Sequence, residues 1–343
     1  MKKPSPNVSP VTDRHNRPIR DLRVSVTDRC NMRCTYCMPA AVFDKDHAFL
    51  PHQDLLTYEE ITRLVRVFAG QGTRKIRFTG GEPLIRRELQ RLIGMVAAVP
   101  GIEDIALTTN GVLLPQHAAS LRDAGLRRVT ISLDALDETL FQAINGRGIS
   151  VQKVLDGIAA ATDAGFESIK INMVVQRGIN ESQVLPMAEY FLRHGHTLRF
   201  IEYMDVGNTN GWAMDRVVPA QEILLLLRQQ FSLTEVPRHH HSDVARRFQQ
   251  TDGPGEIGLI TSVTQPFCGA CSRARISSKG ELFTCLFAQH GTDLRALIRS
   301  GLSDERIEQA IQGVWSRRSD QYSVERTTQE ANQAKVEMSY IGG

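Results

Sequence analysis

The chain has 343 residues, 41% of them hydrophobic and 23% charged, with a formal net charge of +3. That is more chain than one hydrophobic core usually serves, so one large domain with an extension is expected. The charge is too small to point to a nucleic-acid partner, and the longest aliphatic run, Ile223 to Leu227, is far too short to span a membrane. The start, Met1 to Arg20, is polar, carries Pro4, Pro6 and Pro10, and lacks the apolar core of an export signal. All six cysteines fall in two groups, Cys30/Cys34/Cys37 and Cys268/Cys271/Cys285. Without an export signal, that clustering predicts metal binding in a reducing cytoplasm rather than disulfides.

From residue 21 to about 204, short β-rich runs alternate with helical stretches. The strands are expected at 22–27, 74–79, 103–108, 127–133, 168–175 and 197–203. Amphipathic segments lie between them, near 57–70, 86–98, 115–125, 151–164 and 182–194. Thr57 with Glu60 has the spacing of a capping box, and Gly70, Gly125, Gly165 and Gly195 lie where helices should stop. Alternating β and α units imply a parallel sheet with right-handed crossovers. Six units are too few for a closed eight-stranded barrel, so the fold class is α/β, an open partial (βα)6 TIM-like barrel. After Gly207 the periodicity breaks. A helix near 219–230, short β-like runs to about 284 and helices near 290–299 and 303–317 make a C-terminal α+β extension. The expected boundaries are a polar segment 1–20, the barrel 21–207, a C-terminal region 208–317 and a polar tail 318–343, mobile on composition, that ends in Gly342-Gly343.

Chemistry in such barrels sits at the carboxyl ends of the strands. The motif residues fall there in phase: the Cys30 loop, Thr79-Gly80-Gly81-Glu82-Pro83, Thr108-Thr109-Asn110-Gly111, Ser132-Leu133-Asp134 and Glu202-Tyr203-Met204-Asp205. The first thiols are spaced C-x3-C-x2-C, past the strand Leu22 to Thr27. Thiolates are soft ligands that favour iron–sulfur clusters, zinc or cuprous ions. Zinc needs a fourth ligand, and His15, His47 and His52 lack ligand spacing. A cubane on three thiolates keeps one iron open for a substrate. The two glycines of Gly80-Gly81-Glu82-Pro83 let a ligand approach the backbone. The second group, C-x2-C-x13-C, again supplies three thiolates, which suits either a cluster with an open iron or a structural zinc. Arg273 and Arg275 follow it two apart, so on a strand both guanidiniums face one way and suit an anionic ligand. His239-His240-His241 is read as a solvated loop, since adjacent histidines do not easily converge on one ion.

C-x3-C-x2-C followed one βα unit later by Gly-Gly-Glu-Pro resembles the radical S-adenosylmethionine superfamily. Within it, the chain is similar to the GTP 3′,8-cyclase family, which starts molybdenum cofactor biosynthesis. The resemblance rests on Arg17-Pro18-Ile19-Arg20-Asp21-Leu22-Arg23, Thr27-Asp28-Arg29-Cys30, Lys75 to Pro83, Leu107 to Gly111, Phe200 to Gly207, the second cysteine group and the closing Gly342-Gly343. It covers the chain from about residue 16; the first fifteen residues and a loop over 237–255 look individual. The resemblance implies two 4Fe–4S clusters, on Cys30/Cys34/Cys37 and on Cys268/Cys271/Cys285, the second meeting the guanine base. It implies an S-adenosylmethionine pocket lined by Tyr36, Gly81, Ser132 and Met204, with Tyr36 against adenine. It implies GTP binding by Arg23, Arg77, Thr108, Lys170, Arg273 and Arg275, with Arg199 a further candidate, and no P-loop. It also implies that Gly342-Gly343 threads into the site. The implied reaction begins with reductive cleavage of S-adenosylmethionine. The 5′-deoxyadenosyl radical then takes H3′ of GTP, C3′ attacks C8, and reduction gives 3′,8-cyclo-7,8-dihydro-GTP. The implied partners are GTP, an electron donor and the next enzyme of the pathway; the sequence leaves a homodimer open. Two other readings stay open on the residues alone: a radical enzyme acting on a peptide, and a non-enzymatic iron–sulfur or zinc module.

Overall fold

The computed structural model describes residues 11–238, 243–326 and 335–342. His239 to His241 and Gly343 lie outside them. Six βα units come first. They are β1 (Asp21–Ser25) with α1 (Tyr58–Gly70), β2 (Lys75–Thr79) with α2 (Leu89–Ala97), β3 (Asp104–Thr109) with α3 (Leu114–Asp123), β4 (Arg128–Ser132) with α4 (Glu138–Asn145) and α5 (Val151–Asp163), β5 (Ser168–Val175) with α6 (Val184–Arg193), and β6 (Thr197–Glu202) with α7 (Ala220–Arg228). The rest supplies β7 (Leu233–Val236), β8 (Ala245–Gln250), β9 (Glu256–Ile260), β10 (Arg273–Ile276), β11 (Glu281–Phe283), β12 (Thr292–Asp293), α8 (Leu294–Arg299), α9 (Asp304–Ser316), α10 (Tyr322–Glu325) and α11 (Met338–Ile341).

The strands pair in the order β12-β11-β10-β1-β2-β3-β4-β5-β6-β9-β8-β7. Beside the six expected strands, β10 joins β1 and β9 joins β6, both in parallel. The C-terminal region therefore extends the barrel arc at both edges, and the arc stays open between β9 and β10. Antiparallel hairpins finish each edge.

Strand alternation decides which side chains reach the interior. Leu22, Val24, Ile76, Phe78, Val129, Ile131, Ile171 and Met173 are fully buried in the core shared with the helices. Their neighbours Arg23, Arg77, Thr130, Lys170 and Asn172 therefore point to the opposite face, the barrel lumen. The Thr57/Glu60 capping box is formed in both directions. Gly70 is the last residue of α1 rather than its stop; the left-handed turn falls at Gly72, with φ +105°. The 237–255 stretch is not wholly loop, because it contains β8, held on both sides by β7 and β9. The tail is also more fixed than its composition suggests. Residues 335–342 fold back onto the barrel, and Ile341 is fully buried.

Candidate active site

Each cysteine loop is held by its own backbone and by buried guanidiniums. Gly81 packs so closely on the Arg29 carbonyl that a Cβ would collide with it, which seats the Gly-Gly turn beside the first loop. Glu82 of that turn is 1% exposed and accepts from the Leu84 and Asn110 amides (3.0 and 2.7 Å) and the Thr109 hydroxyl (2.8 Å). Burial pushes its carboxyl up to about 7 against those bonds. Arg33, between two of the cysteines, donates to the carbonyls of Cys30 (2.9 Å), Met32 (2.8 Å) and Phe43 (2.6 Å). The loop is thus fixed before any ligand arrives.

All six thiols are unpaired and line one cavity of about 300 Å³ at the carboxyl ends of the strands. Among the described residues, no three His, Cys, Asp or Glu side chains close on a single point as a lone ion would require. The thiols instead stand along the cavity wall. Burial, aided by the Glu82 charge, pushes the Cys30 thiol up to about 11, and burial raises Cys34 and Cys37 further. Holding thiolates there needs a cationic group to offset the desolvation. Cys285 is also raised to about 11 by burial. Cys271 differs: burial opposes its ionisation, but Arg273 and Arg318 outweigh that and draw it down to about 6. Arg273 Nη2 lies 3.5 Å from Cys271 Sγ.

The same cavity is lined by Tyr36, Gly81, Ser132 and Met204, the expected S-adenosylmethionine residues, and by Arg23, Arg77, Thr108, Arg273 and Arg275 of the expected GTP set. Arg77 donates to the hydroxyls of Thr108 and Thr130, each at 3.0 Å. Arg275, 4% exposed, donates to the carbonyl of Gly342. Burial first, then mutual repulsion, pushes Arg77 down to about 9 and Arg275 to about 10, and lowers Arg23 well below the usual arginine range. Guanidiniums remain charged at such values. A cluster of buried cations along one cavity suits a polyanion.

Lys170 is not part of that cavity. It lines a second one, of about 440 Å³, at the amino ends of the strands, together with Lys75 and Arg128. Arg23, Arg77, Arg199 and Arg273 line both cavities, so the lumen carries cations from end to end. Lys170 is pulled down to about 7 by burial and then by Arg199 and Arg128.

Sequence reasoning passed over three groups. Asp134 accepts from the Tyr36 hydroxyl at 2.8 Å and the Val174 amide at 2.9 Å; its place at a strand end was the available signal. Asn172, next to Ser132 in register, lines the cavity with its Oδ1 buried and unpartnered. Asp13, Arg17 and Arg318 converge behind the second cysteine loop; Arg17 opens one of the matching stretches, but nothing in its spacing linked it to Asp13 or Arg318.

Comparison with known proteins gives the family. Residues 24–191 match the radical SAM superfamily and 196–324 match the molybdenum cofactor synthesis C family. The chain is 49% identical to the GTP 3′,8-cyclase of Acidothermus cellulolyticus, over 97% of this chain and 99% of that one. It is 49% identical to the GTP 3′,8-cyclase of Staphylococcus aureus, over 98% and 100%. Among solved structures, Streptococcus suis SuiB aligns with a TM-score of 0.58 at 14% identity, over 93% of this chain and 70% of that one, which is a likeness of fold. A radical S-adenosylmethionine fold, two cysteine triplets facing one cation-lined cavity and full-length identity near one half lead to one conclusion: the chain belongs to the GTP 3′,8-cyclase family.

Proposed function

We propose that the protein converts GTP to 3′,8-cyclo-7,8-dihydro-GTP with S-adenosylmethionine as radical source, the first step of molybdenum cofactor synthesis. One observation carries the reading: both cysteine triplets and five of the candidate GTP residues line the same cavity. Cys30, Cys34 and Cys37 would hold the first 4Fe–4S cluster, which when bound supplies the electron that splits S-adenosylmethionine into methionine and a 5′-deoxyadenosyl radical. Cys268, Cys271 and Cys285 would hold a second cluster, at the guanine end of the substrate. The residues fit: Cys30, Cys34 and Cys37 lie on one loop held by Arg33, while Cys268 and Cys271, whose carbonyls Arg17 and Arg318 hold, meet Cys285 from the far end of the β10–β11 hairpin in the same cavity.

The chain's own part is placement. Tyr36, set by Asp134, offers a ring for adenine beside the Gly81 turn. Arg273 and Arg275 share one face of β10 and would bond guanine and ribose acceptors through fixed donors. Arg23, Arg77 and Arg199 lead the triphosphate down the lumen toward Lys170. Holding the substrate inside this cavity would limit water's access to the substrate radical, so that H3′ abstraction is followed by C3′ attack on C8. An electron donor and the enzyme that consumes the product complete the set of partners, and a homodimer is compatible with this arrangement. The cation-lined lumen favours a nucleotide over a peptide substrate.

The test is replacement of Arg273 and Arg275 by alanine. Losing one charge-assisted bond costs about 1.5–3 kcal/mol, so GTP affinity should fall about tenfold or more in each variant. Both clusters should assemble, and S-adenosylmethionine should be cleaved slowly without cyclised product. Unchanged GTP affinity in both single variants and the double would overturn the assignment.

A further inference from the structure

Behind the second cysteine loop lie three buried charged side chains, of which Arg318 alone also reaches the cavity wall. Asp13 is 5% exposed, Arg17 2% and Arg318 4%. Asp13 Oδ2 accepts from Arg17 Nε at 2.6 Å and from Arg318 Nη1 at 3.0 Å. The two arginines then reach the loop itself. Arg17 Nη1 donates to the Cys268 carbonyl at 2.8 Å, and Arg318 Nη1 donates to the Cys271 carbonyl at 2.8 Å. The three come from distant parts of the chain: a turn near the amino end, pinned by the bridge between Thr12 and Pro18, and the second residue after α9. Trp315 of α9 locks the arrangement, donating from Nε1 to the Arg17 carbonyl at 2.9 Å and lying under the Arg318 guanidinium.

Burying three charges costs several kcal/mol each before pairing, and pairing seldom returns more than that. An arrangement kept only for stability could be apolar. What this one does that an apolar cluster could not is hold two peptide carbonyls, each belonging to a cysteine. The first loop has the same device in simpler form, since Arg33 holds the Cys30 carbonyl.

We propose that Asp13, Arg17 and Arg318 form a clamp that fixes the pitch of Cys268 and Cys271 and so pre-forms the site of the second cluster. Arg17 and Arg318 act through the two carbonyls, and Asp13 acts by aligning both guanidiniums; all three are positioning residues. The amino-terminal turn is then part of the auxiliary site. The inference rests on the proposed second cluster, and the experiment separates the two.

The cleanest background replaces Cys30, Cys34 and Cys37 by serine, so that all iron reports on the second site. In this parent, about four irons with matching sulfide per chain are expected. Arg17→Met keeps the side-chain volume but removes the bonds to Cys268 and Asp13, and Arg17 lies outside the cavity lining. The variant should lose its iron to a chelator about tenfold to a hundredfold faster than the parent, the usual cost of removing an outer-shell partner. Its electron paramagnetic resonance signal should broaden as the thiols lose a single arrangement. Arg17→Lys should recover part of the loss. In the chain with all cysteines present, Arg17→Met should still cleave S-adenosylmethionine within about twofold of wild type, because the first loop has its own arginine. That retained activity also shows that the variant folds. Parent-like iron retention and spectrum in both Arg17→Met and Arg318→Met would overturn the clamp. A parent that binds no iron and sulfide would overturn the second cluster, and the clamp with it.

Discussion

Asp134 shows how one buried carboxylate can set the proposed S-adenosylmethionine pocket. Burial raises it to about 6, although the Val174 amide and Tyr36 hydroxyl both favour its charged form. Above that pH, Oδ2 is a pure acceptor and holds the Tyr36 hydroxyl at 2.8 Å. Below it, the carboxyl takes up a proton and competes with Tyr36 as a donor. S-adenosylmethionine affinity should therefore be highest above pH 6 and weaken as pH falls through it, by at most about tenfold per pH unit for one proton. Asp134→Asn should bind more weakly at pH 8 and show no such slope. Isothermal titration from pH 5 to 8 on both proteins checks this. A wild-type slope that persists in the variant would place the titrating group elsewhere. Sequence gave Tyr36 its role through the family motif but left Asp134 as one polar residue at a strand end. Its contact with Tyr36 joins positions 98 apart, which no local pattern encodes.

At the level of elements, the tail is a strap held at both ends. Asp205, 6% exposed at the end of β6, pairs with Arg326 at 3.0 Å and Lys335 at 2.7 Å and accepts from the Tyr322 hydroxyl. Glu337 accepts from the Asn208 amide at 2.9 Å and the Thr209 hydroxyl at 3.0 Å. Farther on, Gly342 takes φ +74° with its carbonyl on Arg275, and a Cβ there would collide with Thr79. Truncation after residue 334 removes Lys335, Glu337 and Gly342 together. It should leave iron content unchanged but make turnover leak, with 5′-deoxyadenosine exceeding cyclised product several-fold. Quantifying both products in one reaction checks this; equal amounts would mean the strap is dispensable. The strap also marks a limit of sequence reading. β1 to β6 were legible because one face of each is apolar with period two and glycines end several helices. The tail, β8 and the Asp13 turn were not, because each is stabilised by partners far along the chain rather than by its own periodicity. Arg23 and Arg77 entered through the family resemblance rather than through alternation, and neither could show that β9 and β10 would extend the arc.

Across the whole molecule, cations line the lumen from the thiols to the amino ends of the strands, where Asp21, Glu103, Asp104, Glu167 and Asp243 stand among them. Lys170 stands at the far end, near Lys75, which burial and the nearby Arg77 and Arg128 bring down to about 8 despite Asp21. With Lys170 at about 7, roughly nine in ten molecules carry it neutral at pH 8. A terminal phosphate reaching it would favour the charged form and raise its pKa, so binding must take up protons from the buffer. The uptake should approach one proton at pH 8 and shrink toward zero at pH 6, where Lys170 is already charged. As pH rises through 7, GTP affinity should fall, because part of the binding energy then goes to protonating the lysine. Calorimetry in two buffers of different ionisation enthalpy measures the uptake directly. Lys170→Met should abolish most of it and weaken GTP by about tenfold, while leaving guanosine, which has no phosphate to reach that end, unchanged. Equal losses for GTP and guanosine would mean that Lys170 supports the barrel rather than the triphosphate. A wild-type binding enthalpy independent of buffer at pH 8 would show that no phosphate reaches the amino end of the lumen.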